Sequence, residues 1–355
     1  MQQNNWLEQL TEFQKVHAVE VVLFFLFLSM AMIPGMARVE TIVALENMMP
    51  SGSTPVEGVN DLRAEGIGKD SIAVKISTGN TEDGVQSIDD NRTEAYIRDL
   101  SNDIRDVQGV TQVISPLQRQ GLVDEREQNA VITAYTYVGD SGSEMDRIFD
   151  EIEQEARYER PEGVDTEISG VPAVQQRLSS MVARDKNVTT AISLVLVFLI
   201  TLGLFQGSFS SALMPLIVVG LSVVWLYGTM GYLGIPLSTL AGSVAALVIG
   251  IGIDYSVHIL NTYRFHRRDN TVDEALSEAV GETGVAILAT SITTISAFMA
   301  FLSGMMPEMH RFGLIMSIGI GYSLIFSFFL LPSVFVLEER LMHKIHESIN
   351  WRHDF

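Results

Sequence analysis

A chain of 355 residues with 43 acidic against 23 basic side chains, and a formal net charge of -20, has no electrostatic basis for gripping a nucleic-acid backbone. Its mean hydropathy is nonetheless +0.24, so apolar and acidic residues must be segregated, as in a membrane protein carrying a water-exposed domain. Cysteine is absent, which excludes disulfides and thiolate metal sites. There is also no Walker motif and no nucleophile–base pair at a recognisable spacing, so neither an enzymatic activity nor a cofactor or metal is expected.

Residues 1–16 place Trp6, Leu10 and Phe13 on one helical face, the pattern of an amphipathic helix lying in the cytoplasmic interface. The apolar run at 17–37 reads as a first transmembrane helix. A cleaved signal peptide is the alternative, but Glu8 and Glu12 oppose a single Lys15 and the run exceeds a typical signal core.

Residues 38–186 form a polar domain with 29 acidic and 15 basic residues, and only 5 of all the basic residues in the chain are lysine. Such acidity, with arginine in place of lysine, fits a protein kept soluble in concentrated salt, as in halophilic archaea. Binding of a cationic cargo is the competing reading, and the even spread of the acids along the domain disfavours it. Strand-like alternation at 71–78, 110–114, 130–138 and 166–169 brackets two helical patterns. The first, 92–107, aligns Ala95, Ile97, Leu100, Ile104 and Val107; the second, 143–157, aligns Met145, Ile148, Phe149, Ile152 and Ala156. The order βαββαβ is the ferredoxin-like unit. Residues 173–186 then read as a helix running into the second span.

Five further apolar stretches of about 20 residues follow, near 187–206, 211–232, 236–262, 285–304 and 311–337. The predicted fold class is therefore an α-helical membrane protein with six transmembrane helices and an α+β ferredoxin-like porter domain: first helix, domain 38–186, five-helix block 187–337 and tail 338–355. Lys15, Arg264, Arg267, Arg268, Arg340, Lys344 and Arg352 flank one side of the spans, which assigns that side and both termini to the cytoplasm of a multi-pass plasma-membrane protein, with 38–186 outside.

Within the fourth span stands Asp254. A carboxylate at the centre of a spanning helix costs about 2.5 to 3.5 kcal/mol and is read by default as part of an ion or proton path. Gly242, Ala246, Gly250, Asp254 and His258 recur every fourth residue, a line of small side chains that lets another backbone approach closely. Asp254 lies roughly 12 Å from the cytoplasmic end of that helix. The fifth span, expected to begin near Gly284, carries Thr290, Thr293 and Thr294 to a similar depth. Their hydroxyls either bond the acid or bond back to their own helix. Tyr255 points about 100° away from Asp254, towards a partner chain or its equivalent acid, and His258 one turn on is a candidate proton acceptor.

The run Gly250-Ile-Gly-Ile-Asp254-Tyr255-Ser-Val-His258, followed by Asn261-Thr-Tyr263-Arg264, resembles the resistance-nodulation-division superfamily in its MmpL-like, hydrophobe/amphiphile-efflux branch. Glu46-Asn-Met-Met-Pro50, Ile168-Ser-Gly170-Val-Pro172 and Leu331-Pro332 extend the likeness over nearly the whole chain. The resemblance implies proton-driven export or relocation of lipids or amphiphiles, with an Asp-Tyr pair at Asp254 and Tyr255 carrying the proton. Family pumps typically hold two six-helix repeats and this chain holds one, which implies a homodimer or larger homo-oligomer unless a separate chain supplies the missing half. A SecF-like auxiliary of protein translocation and a sterol-sensing-type lipid-binding module remain as alternatives. Met48, Met49, Met305, Met306 and Met309 mark the expected path of an amphiphile; a soft-metal path is the other reading of the same cluster.

Overall fold

The computed structural model describes residues 5–41, 49, 53–54, 57–58, 61, 70–79, 84–119, 121–136 and 143–350. The chain divides into two compact units, Ile42–Val182 and the combination of Met1–Thr41 with Ala183–Phe355.

The smaller unit contains β1 (Asp70–Thr78), α3 (Asn91–Asp106), β2 (Val110–Ile114), β3 (Asn129–Thr136), α4 (Ser143–Arg157) and β4 (Val164–Ser169). The strands pair antiparallel in the order β2-β3-β1-β4, the ferredoxin-like topology in which each βαβ crossover skips one strand. Val74 sits opposite Ile132 on one side and Ile168 on the other. Period-two alternation sends Ile72, Val74 and Ile76 of β1 and Ala130, Ile132 and Ala134 of β3 to one face of the sheet. The two helices cover that face with Ile97, Leu100 and Ile104 from α3 and Met145, Ile148 and Ile152 from α4. β4 starts two residues before the alternation becomes visible, and residues 137–138, expected in β3, lie outside the described residues.

Two core assignments change: on α4 Phe149 is only half-buried, and on α3 one residue replaces its neighbour. Helical spacing nominates Ala95, yet Ala95 is exposed and Tyr96 is buried in its place, because the Tyr96 hydroxyl finds an acceptor inside, donating to the Ala156 carbonyl. Burial pushes the Tyr96 phenol up to about 12. Its folded value thus exceeds its ordinary 10, so its contribution to stability is complete below pH 10 and is lost as the pH rises towards 12. Tyr96→Phe is expected to cost about 1 kcal/mol at neutral pH. Denaturation of the full chain, followed by near-ultraviolet circular dichroism, should show the gap to wild type closing above pH 10; a gap that stays constant would reject the argument.

The larger unit holds α1 (Asn5–Val16), α2 (Ala18–Met36), α6 (Phe209–Leu233), α7 (Val244–His266), α8 (Val272–Met299), α9 (Pro307–Ile325), a π-helical segment Phe326–Leu330 and α10 (Leu331–Asn350). It also takes the larger part of α5 (Val171–Leu204), a single helix of 34 residues that starts in the smaller unit. Among the described residues, six helices are long and apolar enough to cross a membrane, counting α9 and α10 as one. The protein is accordingly a multi-pass membrane protein with an α+β domain. The fifth span begins at Val272 and not near Gly284: its first turns carry Asp273, Glu274, Glu278 and Glu282, which hide them from hydropathy. A capping box in which Thr271 and Glu274 bond each other's backbone fixes the start.

α6, α7 and α9 form the interior of this unit, whereas α5 and α8 leave most of their surfaces open. α2 crosses α6 at glycines: a Cβ on Gly231 would lie 1.8 Å from the Gly35 carbonyl oxygen, so only glycine allows this approach. The Trp225 indole N–H donates to Ser29 Oγ at 2.8 Å across the same crossing. Hydroxyl pairs tie the interior helices, Ser222 to Ser323 at 3.0 Å and Ser256 to Ser327 at 2.8 Å. The π turn loosens the backbone ladder, and the buried Gln14 of α1 donates its side-chain N–H to the carbonyls of Phe328 and Phe329 at 2.7 and 3.3 Å. α1 therefore buries polar Thr11 and Gln14 in protein and leaves Phe13 and Val16 open, the polarity of a helix with lipid on one side. The side chains of Trp6 and Leu10 lie outside the described residues.

Candidate functional site

The site is built on α7. A 3₁₀ turn, Leu240–Ser243, precedes the helix and buries Gly242, so Gly242 drops out of the four-residue line expected from the sequence. The remaining members face away from the bundle: Ala246 is half-buried, while Gly250, Asp254 and His258 are exposed. A Cβ added to Gly250 would meet nothing within 4 Å, whereas one added to Gly252 would lie 2.5 Å from Ser323 Oγ. The helix thus packs into its own bundle through Val248, Gly252, Ser256 and Ile259 and turns the line outward. Among the described residues, no hydrogen bond or ion pair reaches the Asp254 carboxylate.

Tyr255 is buried and its hydroxyl is directed to Ser291 of α8. The 100° offset from Asp254 therefore carries it into its own chain and away from a partner. Ser291 lies outside the threonine face that the sequence singles out on the same helix; its signal is a small polar residue one turn after Ile287, on the buried face. Thr290 and Thr293 are exposed and Thr294 is half-buried. All three hydroxyls bond back: Thr290 donates to the carbonyls of Ala286 and Ile287 at 3.1 and 3.0 Å, Thr293 to that of Thr290 at 2.9 Å, and Thr294 to the same carbonyl at 2.7 Å. Of the two readings of these threonines, local bonding is the one the structure adopts. A hydroxyl that can reach its own helix carbonyl needs no distant partner.

Below the acid, Arg267 grips Glu339 with two parallel bonds, Nε to Oε1 at 2.7 Å and Nη2 to Oε2 at 3.0 Å, and Tyr263 Oη donates to Oε1 at 3.0 Å. The Tyr263 ring stacks on Phe335 at 4.8 Å. This cluster fastens the end of α7 to α10. Its sequence signal is the i, i+4 spacing of Tyr263 and Arg267.

The methionines are distributed between the units. Met305, Met306 and Met309 share one exposed turn before and at the start of α9, with Met305 84% exposed. Met49 is exposed in the smaller unit, and Met48 lies outside the described residues. Among the described residues, His266, Glu278 and Glu282 come closest to a metal-ligand grouping, with their donor atoms within 4.8 Å of one another. Each imidazole nitrogen faces a different carboxylate, Nδ1 to Glu278 at 3.5 Å and Nε2 to Glu282 at 3.2 Å.

Comparison with known proteins agrees with this architecture. The MMPL family model matches residues 59–353. A membrane protein of Methanocaldococcus jannaschii is 28% identical over 94% of this chain and 94% of its own length. The sulfolipid-1 exporter MmpL8 of Mycobacterium tuberculosis is 22% identical over 72% of this chain, which corresponds to 24% of that protein. The membrane protein YdfJ of Bacillus subtilis is 26% identical over 53% of this chain and 26% of its own. This chain thus spans nearly all of the archaeal relative and about a quarter of these two bacterial ones. It belongs to the MMPL family, as an MmpL-like member of the resistance-nodulation-division superfamily.

Proposed function

We propose that the protein is a transporter that uses the proton-motive force to export or relocate lipids or other amphiphiles, and that it works as a homodimer or larger homo-oligomer. The observation that carries this reading is Asp254, an acid near the middle of a spanning helix, on the open side of α7 and unbonded within its own chain among the described residues. Leaving it against hydrocarbon would cost about 2.5 to 3.5 kcal/mol. The open sides of the two helices carry small or polar residues, Gly250 on α7 and Ala286, Ala289, Thr290 and Thr293 on α8, beside the apolar Leu247, Val285 and Ile292. The small residues let another helix approach closely, and the apolar ones would be buried with them. A second copy facing the first across a symmetry axis would cover both acids.

The cargo class rests on the relative that carries the name of a sulfolipid-1 exporter. The basic residues flanking the spans favour cytoplasmic termini and an extracytoplasmic porter domain at 38–186. Met48 and Met49 in that domain, and the turn at Met305, Met306 and Met309, supply the soft apolar surface an amphiphile would travel. Proteoliposomes containing the purified chain and a headgroup-labelled lipid test the proposal. Lipid should cross or leave the bilayer when a proton gradient is applied and stop when an uncoupler collapses it. Transport indifferent to the uncoupler would refute proton coupling. Lipid capture without any movement would favour the sterol-sensing-type module.

The methionine turn gives a separate expectation. Met305→Gln with Met309→Gln should lower lipid transport several-fold while leaving proton uptake by the reconstituted protein unchanged. Transport at the wild-type rate would remove this turn from the path.

A further inference from the structure

A cleft of about 730 Å³ opens in the larger unit between the turn that follows α5 and the last turns of α7. Phe205, Gln206, Asn261, Arg264, Arg268 and Glu282 contribute to its wall. The Arg264 guanidinium lies over the Phe205 ring, 5.5 Å from its centroid. Among the described residues, neither Arg264 nor Arg268 pairs with a carboxylate. The nearby acids are otherwise engaged: Glu282 turns to His266 at 3.2 Å and Glu339 is held by Arg267. In a chain of net charge -20, two guanidinium groups left unneutralised in one cleft amount to a local reversal of sign. Beside the cleft, Leu199, Ile200 and Leu204 of α5 and Phe265 of α7 are large apolar side chains left exposed. The cleft sits where the apolar stretches of both helices end, at Leu204 and His266, so a charged headgroup and its hydrocarbon tails would meet matching surfaces there.

We propose that this cleft binds the phosphate headgroup of an anionic membrane phospholipid. Arg264 and Arg268 grip the phosphate, Gln206 and Asn261 donate to its remaining oxygens, and the acyl chains lie along α5. Guanidinium groups hold phosphate oxygens in bidentate fashion, and basic pockets between spanning helices are suited to anionic headgroups. The apolar wall singles out a lipid over free phosphate, because inorganic phosphate gains nothing from hydrocarbon neighbours such as Ile200 and Leu204. This deepens the transport reading and rests on it for the purpose of the site, which would load the cargo from the leaflet at the His266 end.

The test is native mass spectrometry of the full chain, released from micelles containing equal amounts of phosphatidylglycerol and phosphatidylcholine with identical acyl chains. Two arginines at roughly 1 kcal/mol each predict a preference of about thirtyfold for phosphatidylglycerol. Arg264→Gln with Arg268→Gln should bring the preference close to one, and Arg264→Lys with Arg268→Lys should keep part of it, which separates lost charge from lost folding. Equal retention of the two lipids by the wild type, or an unchanged preference in the glutamine variant, overturns the proposal. Displacement of the bound lipid by an equal concentration of inorganic phosphate overturns it as well, since the site would then read phosphate alone. The measurement is independent of transport: a chain that moves lipid without this preference loses the site, not the transport function.

Discussion

Asp254→Asn is expected to assemble and reconstitute as the wild type does and to lose gradient-driven lipid transport. The substitution keeps the size of the side chain and removes only its ability to exchange a proton. The acid stands near the middle of α7, exposed on the outward side, and no described hydrogen bond or ion pair depends on its charge, so the isolated chain has no structural need for it. At a membrane potential of 100 mV one proton per cycle is worth about 2.3 kcal/mol, or about fiftyfold in the accumulation ratio. The variant should fall to a ratio near one, whereas Asp254→Glu should retain part of the effect. Lipid flux and internal pH measured in the same proteoliposomes decide the matter: full gradient-driven transport by Asp254→Asn would rule out the proton role.

Gly250→Leu is expected to dissolve the oligomer without unfolding the chain. The space beyond Gly250 is empty within one chain, since a Cβ there meets nothing within 4 Å. A leucine therefore costs the monomer little, but it obstructs any helix that packs on the line of Ala246, Gly250 and Asp254. Gly252→Ala provides the contrast. Its Cβ would lie 2.5 Å from Ser323 Oγ and 2.9 Å from Val219 Cγ2, so it should cost about 1 to 3 kcal/mol of stability while leaving the mode of assembly intact. Mass photometry in mild detergent reads the oligomer, and thermal denaturation reads the stability. Cysteines introduced at Ala246 or Gly250 should cross-link between chains. An unaltered oligomer in Gly250→Leu would move the interface elsewhere on the protein.

Periodicity and composition were enough to place the elements of this chain in order. Two-residue alternation in Ile72, Val74 and Ile76 and helical spacing in Ile97, Leu100 and Ile104 mark out the βαββαβ unit, because each side chain's face follows from its position along a strand or helix. Hydropathy located the six spans for a similar reason: every spanning stretch must be apolar over a bilayer's thickness. Hydropathy failed at the start of α8, where acidic first turns lie beyond the apolar run, although the capping pair Thr271 and Glu274 was in plain view. Likewise, spacing alone could not choose Tyr96 over Ala95, since that choice depends on an acceptor, Ala156, that is 60 residues away.

For the candidate site, the sequence picked out the acid but not the direction it faces. α7 carries two rows of small residues four apart, Ala246 and Gly250 on one side and Gly252 and Ser256 on the other, and both satisfy the rule for close helix approach. Which row meets the chain's own helices is settled by Ser323 and Ser327, about 70 residues further on. Ser323 crowds Gly252, Ser327 bonds Ser256, and the π turn helps set their positions. That packing leaves Ala246, Gly250, Asp254 and His258 on the open side and turns Tyr255 inward to Ser291. Helical periodicity places residues relative to one another on a single helix. Only the partners that fill the space around that helix decide which side is interior.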